Sequence, residues 1–206
     1  MCSPLCSGLS LIGDDTVLRE LADKLAEVTT EQGSSARRNH ETVFRGWLEV
    51  GNGDVINGIS LLRSGSAARS GEVWMPHYIA LLASACELAE QPEEALTLLD
   101  DALQIVERTE ERWFAAELSR RKGELLLRQG HSEAAEEHYR NALSIAEEQE
   151  AKLWELRAAV SLSRLRRDQG RRAEARDLLA PIYDWFTEGF GTPDLREAKA
   201  LLGALA

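Results

Sequence analysis

The chain has little of what small disulfide-built or metal-built domains rely on. Its 206 residues include only three cysteines, Cys2, Cys6 and Cys86. An odd count with no CxxC pair and no histidine nearby gives neither a disulfide framework nor a zinc site, and a reducing cytoplasm fits that usage. Cys86 falls among Leu82, Ala83 and Ala89 on a predicted helix, where a small buried thiol is expected. No apolar run approaches the ~18 residues of a membrane-spanning helix. The opening MCSPLCSGLSLIG lacks the Lys or Arg of a signal-peptide n-region, so residues 1–13 read as a flexible leader. Bases are also scarce, 24 against 35 acids, for a formal charge of −11. A net acidic surface does not displace counterions from phosphates, which argues against a general nucleic-acid binder.

The signatures of catalysis are missing too. There is no GxxxxGK[ST] phosphate loop, no HExxH, no GxSxG and no Cys–His arrangement. GNGDVING (51–58) has glycines but no preceding strand, and reads as a turn between helices. His40, His77, His131 and His138 are scattered, as surface or groove histidines are. Glu pairs such as Glu136/Glu137 sit on polar helical faces, with nothing to isolate one carboxyl from water. The expectation is a chain that is not an enzyme, with no catalytic, cofactor or metal site.

What the sequence does contain is 44% apolar residues, enough to bury, and few prolines (5) and glycines (15) set between long Ala/Leu/Glu/Arg runs. That pattern predicts helices. Self-similarity then sets the architecture. Ala95, Ala135 and Ala175 recur at intervals of forty. Each is followed four residues later by Leu99, Tyr139 or Leu179, and three later again by Ala102, Ala142 or Ile182. Twelve residues before each stands Ala83, Gly123 or Ser163. A weaker copy is read as Val43/Val55/Ile59/Leu62. Small residues at those positions let two antiparallel helices approach within roughly 8–10 Å, and the larger ones on the same face seal the next hairpin.

Helices are predicted near 14–32, 38–50, 54–67, 75–90, 92–108, 111–129, 132–149, 151–169 and 172–187. Gly51, Gly53, Gly130 and Gly170 mark helix ends, Pro92 suits a first helical turn, and Ser132 is placed to cap the helix after it. At the end, Thr192 reads as an N-cap, Pro193 as the first helical position, and Asp194 and Glu197 as acids near the positive helix end. Leu195, Ala198, Leu201, Leu202 and Leu205 form one stripe, expected to cover the last hydrophobic face of the array. The array is assigned to 14–187 and the capping segment to 188–206. Leu18, Leu21, Leu25 and Val28 look like the second helix of a hairpin whose first is missing, as in a chain that begins inside a longer array.

Charge divides along the chain. Glu87–Glu150 holds 17 acids and 7 bases, whereas Lys152–Asp177 holds 8 bases and 4 acids. The basic stretch is either a patch for an acidic peptide, a phosphate or a neighbouring domain, or a salt-bridged face packed beside the acidic repeat; the second is preferred.

The small–large signature resembles the tetratricopeptide repeat. Ala95/Leu99/Ala102 and Gly123/Ala135/Tyr139/Ala142 match it; Ser163/Ala175/Leu179/Ile182 and Val43/Val55/Ile59/Leu62 depart from it, and the period of forty is longer than usual. QPEEALTLLDDALQIVERTEERWFAAELSRRKGELLLRQG and LLAPIYDWFTEGFGTPDLREAKALL, within residues 38–205, are similar to the C-terminal helical arrays of bacterial multidomain signalling proteins. Those proteins carry class III adenylate/guanylate cyclase domains or transcription regulators, with an ATPase module ahead of the array.

The resemblance implies an all-α, right-handed superhelical array of helix hairpins whose first helices line a concave groove. It places Phe44, Trp47, His77, Ser84, Glu87, Glu117, Arg120, Glu124, Arg128, Arg157, Arg164 and Arg167 in that groove. Phe44 and Trp47 have core packing against the leader helix as the other reading; Trp74, Trp113 and Trp154 are assigned to packing between repeats. The implied function is a scaffold for a protein or peptide, or alternatively a sensor holding a small ligand in the same groove. No nucleic-acid or membrane partner is expected.

Overall fold

The repeat is most visible where helices stop. The computed structural model describes residues 35–67 and 74–206, so the expected leader and the helix expected near 14–32 lie outside the described residues. Nine α-helices are seen among those described: α1 (Ser35–Gly51), α2 (Val55–Ala67), α3 (Met75–Leu88), α4 (Pro92–Thr109), α5 (Ala115–Arg128), α6 (Ser132–Glu148), α7 (Lys152–Asp168), α8 (Arg172–Asp184) and α9 (Pro193–Ala204). A 3-10 turn, Arg112–Phe114, precedes α5 where the sequence predicted continuous helix.

Glu90, Gly130 and Gly170 all adopt left-handed φ values (58°, 87° and 80°), forty residues apart, and Gly53 does so in the first hairpin. In each case the next N–H reaches back to close the helix: Asp54 to Glu49 O, Gln91 to Cys86 O, His131 to Leu126 O, Arg171 to Arg166 O. This closure satisfies carbonyls that the helix end would otherwise orphan. It also shifts one boundary. His131, not Ser132, occupies the N-cap position, and Ser132 is already the first residue of α6. Asp54 does cap, accepting the Asn57 N–H at 3.2 Å, so GNGDVING is a helix–turn–helix junction as read.

The chain divides into two compact units, Met1–Ile105 and Val106–Ala206. In the first, α1 and α2 pack through glycine. A Cβ on Gly58 would lie 2.7 Å from Gly46 O, one on Gly46 2.9 Å from Gly58 O, and one on Gly65 3.0 Å from Asn39 O. This corrects the register read from sequence. The first hairpin's small residues are Gly46 and Gly58, twelve apart, followed by Leu62 and Gly65, and not Val43/Val55/Ile59/Leu62. The copy is shifted because Gly58 precedes Ala95 by 37 residues and not by the forty that separates Ala95, Ala135 and Ala175.

In the second unit the hairpins α5/α6 and α7/α8 keep the forty-residue register. Ala135, Tyr139, Ala142, Leu156, Leu162, Ala175, Leu179 and Ile182 share one core with Leu195, Ala198, Leu201 and Leu205 of α9. Each fully buried Leu or Ile there contributes roughly 1.5–3 kcal/mol. Gly123 leaves room for the Tyr139 ring, since a Cβ would meet its Cε1 at 2.7 Å. At the equivalent place in the next hairpin Ser163 donates its hydroxyl to Ala175 O at 3.0 Å.

Trp154 meets Phe114 edge-on at 5.6 Å, which is the inter-repeat packing expected for it. α8 ends at Asp184 rather than near 187, because Pro181 has no N–H for the Asp177 carbonyl and weakens the last turn. Thr192 sits at the N-cap of α9, but its hydroxyl donates to Gly189 O at 2.8 Å instead of capping. Cys86 is a buried free thiol, and burial raises its pKa. Among the described residues, no helix is long and apolar enough to cross a membrane.

Candidate functional site

Helix α7 packs against both α5 and α9, and polar side chains of the three helices meet along one face. The charges on this face are matched within the chain. Arg120 grips Glu117 with two hydrogen bonds, Nε–H to Oε2 at 2.7 Å and Nη2–H to Oε1 at 2.8 Å. It also donates to Glu124 and, at 3.2 Å, to Ser161 Oγ of α7. Arg121 adds a third donor to Glu117 at 3.1 Å. Burial alone would push the Glu117 carboxyl up, but Arg120, Arg121 and Arg157 outweigh it and hold the pKa at about 2. The same carboxylates outweigh burial at Arg120 and raise its pKa. Such a pair orders the helix face, because a lone charge at that depth would be strongly disfavoured.

The next layer ties α7 to the cap. Arg157 donates to both oxygens of Asp194, at 2.6 and 3.0 Å, while its guanidinium lies 5.2 Å from the Trp154 ring centre. Arg164 pairs with Glu197. Asp194 and Glu197, read from sequence as favourable to the dipole of their own helix, therefore also answer arginines of α7. Of the remaining arginines of the basic stretch, Arg171 pairs with Glu136 and Glu174 and Arg167 with Asp168, while Arg172 donates to the Ala204 carbonyl at 3.1 Å. Arg166 lies 4.0 Å from Glu136. The salt-bridged reading of this stretch holds.

The face has an opening beside these pairs. A depression of about 160 Å³ is lined by Glu124, Leu127, Arg128, Tyr139, Ser161 and Arg164. Three of the twelve groove residues, Glu124, Arg128 and Arg164, meet there. Arg128 is exposed and the Arg164 side chain is 49% exposed. Tyr139 supplies an apolar wall, its hydroxyl held protonated by burial and by Glu124. Leu127, Tyr139 and Ser161 were missed from sequence. Tyr139 is the large residue four after Ala135 and was assigned wholly to the core; Ser161 precedes the marker Ser163 by two and carried no signal of its own.

The other predicted groove residues are distributed differently. Phe44 is fully buried against Tyr78 and His77 is 1% exposed, so neither offers a partner any surface. Phe44 is a core residue, packed on Tyr78, while the leader helix expected to cover it lies outside the described residues; Glu117 is likewise interior. Helix α1 turns Phe44 inward because it lies beside Val43 on the stripe facing α2 and α3. Trp47, Ser84 and Glu87 are half-buried, and Ser84 donates back to Ala80 O at 2.9 Å. Arg120 and Arg157 are part-buried in the pairs described, and Arg167 is part-exposed. In the first unit a second depression, about 370 Å³, is lined by Ile56, Ile59, Ser60, Arg63, Ala89 and Gln91. Among the described residues no group of three or more His, Cys, Asp or Glu is placed to hold a metal ion.

Residues 77–148 match the family model of the tetratricopeptide repeat. A comparison with curated proteins gave no sequence match. Among solved structures, the chain is similar to BtubC (BKLC) from P. vanneervenii, with 17% identity, a TM-score of 0.72, and 94% of this chain and 81% of that one covered. It is similar to aspartyl phosphate phosphatase F from Bacillus subtilis, with 16% identity, a TM-score of 0.68, and 90% and 50% covered. It also resembles the Rap conjugation gene regulator of plasmid pLS20 in complex with the Phr* peptide, with 15% identity, a TM-score of 0.66, and 82% and 48% covered. The chain spans about half the length of the latter two. At these identities the likeness is one of fold: an all-α array of tetratricopeptide-like hairpins.

Proposed function

From a chain whose residues 77–148 match the tetratricopeptide repeat, we propose a non-catalytic scaffold that binds a protein or peptide segment on the α5/α7 face. The observation that carries this reading is the depression between Arg128 and Arg164. It combines an apolar wall with a carboxylate, a hydroxyl and two guanidiniums, a set suited to one amphipathic side chain and the backbone beside it. Its volume lies below the ~300–1,000 Å³ of sites that enclose a small molecule, which favours a segment lying across it over a sequestered metabolite. The Rap regulator solved with a peptide is a precedent within the same fold. The resemblance of residues 91–130 and 178–202 to arrays in cyclase- or regulator-type proteins extends the proposal to its context. The partner is then a domain or segment of such a signalling system, in the cytoplasm.

Selection of a displayed peptide library on the purified chain tests this. Peptides should be enriched whose binding is lost in Arg128→Glu and Arg164→Glu while helicity is kept. Enrichment indifferent to both substitutions would move the site elsewhere. Failure to enrich, together with a melting temperature raised by a metabolite set, would support the sensor instead. Turnover by the purified chain, abolished by a point substitution, would overturn the non-catalytic reading.

A further inference from the structure

The junction between α8 and the cap α9 is longer than the other junctions between described helices that are wholly described. Those after α1, α3, α5, α6 and α7 take three residues and that after α4 takes five; this one takes eight, Trp185–Thr192. Four of the chain's twelve aromatic residues, Tyr183, Trp185, Phe186 and Phe190, fall within eight positions here. They are partnered in two ring pairs. Tyr183 lies 5.9 Å from Phe190, and Trp185 meets Phe186 edge-on at 5.1 Å. Yet Trp185 is 58% and Phe190 47% exposed, the two exposed large aromatics among the described residues, whereas Phe44, Tyr78, Phe114 and Tyr139 are fully buried. Ring pairs that hold one another in place while facing water are pre-organised contact area, at a cost in exposed apolar surface that the fold of the array does not require.

The local charge indicates what fits. Between Arg176 and Arg196 there is no base, whereas Asp184 and Glu188 are exposed carboxylates beside the rings. The chain also shows a cation on this surface: the Lys152 ammonium, paired with Glu155 at 2.6 Å, sits 5.7 Å from the Trp185 ring centre. An aromatic face attracts a cation through its quadrupole, and neighbouring carboxylates add to that attraction. We infer that the Tyr183–Phe190 segment is a second interaction surface, for an Arg- or Lys-bearing segment of a partner protein.

The test uses the full chain and a dye-labelled peptide of alternating Arg and Gly, with its Glu–Gly counterpart, read by fluorescence anisotropy. A chain of net charge −11 attracts any cationic peptide, so the variants carry the decision. Trp185→Ala and Phe190→Ala should each weaken the Arg peptide roughly tenfold with circular dichroism unchanged. Asp184→Asn with Glu188→Gln should weaken it and flatten its salt dependence. Lys152→Gln, which removes the internal cation from the ring, should tighten binding in the wild-type background and not in Trp185→Ala, a dependence that the change in net charge alone would not give. Wild-type affinity in Trp185→Ala and Phe190→Ala, or equal binding of the Glu peptide, overturns the inference. So does a dimer of this chain that Trp185→Ala dissociates.

Discussion

Gly58 is held between Val50 and the Gly46 carbonyl, with no room for even a methyl group. Gly58→Ala should therefore destabilise the chain by roughly 1–3 kcal/mol, as overpacking does, whereas Gly191→Ala, where a Cβ meets nothing, should leave the melting temperature nearly unchanged. Equal melting temperatures would refute the Gly46/Gly58/Leu62/Gly65 register. That register was legible in principle, because small residues twelve apart stand in the sequence just as at Gly123 and Ala135. It was missed because the last three hairpins advance by forty, and a strict step of forty lands on Val55. At the same scale, Phe44 and His77 could not be assigned to interior or groove from spacing. A residue two or six positions before the marker faces whichever neighbour the adjacent helix supplies, and that neighbour is fixed only in three dimensions.

Among the helices, α5 carries the deepest charge. Glu117 titrates near 2 in the folded chain, against 4.5 for an ordinary Glu. Its depressed pKa contributes stability that is complete above about 4.5 and is lost as the pH falls toward 2. Denaturant melts across that window should show stability falling with pH, and Glu117→Gln should take about one proton out of the slope. An unchanged slope would mean that Arg120 and Arg121 do not hold the carboxylate ionised. The substitution also perturbs packing, so the slope is the diagnostic quantity and the absolute stability is not. Helix α9 gives the complementary lesson about legibility. Its apolar stripe, and Pro193 as its first residue, were plain in the sequence, because an amphipathic period and a helix start are local properties. That Asp194 and Glu197 also answer Arg157 and Arg164, 37 and 33 positions earlier, depends on the placement of the cap against α7, which no local pattern encodes.

Across the whole molecule, the uneven charge along the chain is resolved in part by packing: basic α7 and the start of α8 are matched by Glu136 from the acidic stretch and by acids of the cap. The exposed face is consequently a mosaic of paired charges, and recognition there has to come from the few groups around the Arg128–Arg164 opening. The recurrent left-handed stop has a different consequence, for how such a chain can be lengthened. Gly130 and Gly170 end their helices in the same conformation and are followed by equivalent hydrogen bonds. Residues 131–170 are thus an interchangeable cassette that starts and finishes at matching joints. A gene encoding this segment twice in tandem should yield a chain with two more helices, proportionally greater helical ellipticity and a single cooperative melt no lower than that of the parent. A separate low-temperature transition would mean that the joints match in backbone but the faces they bring together do not.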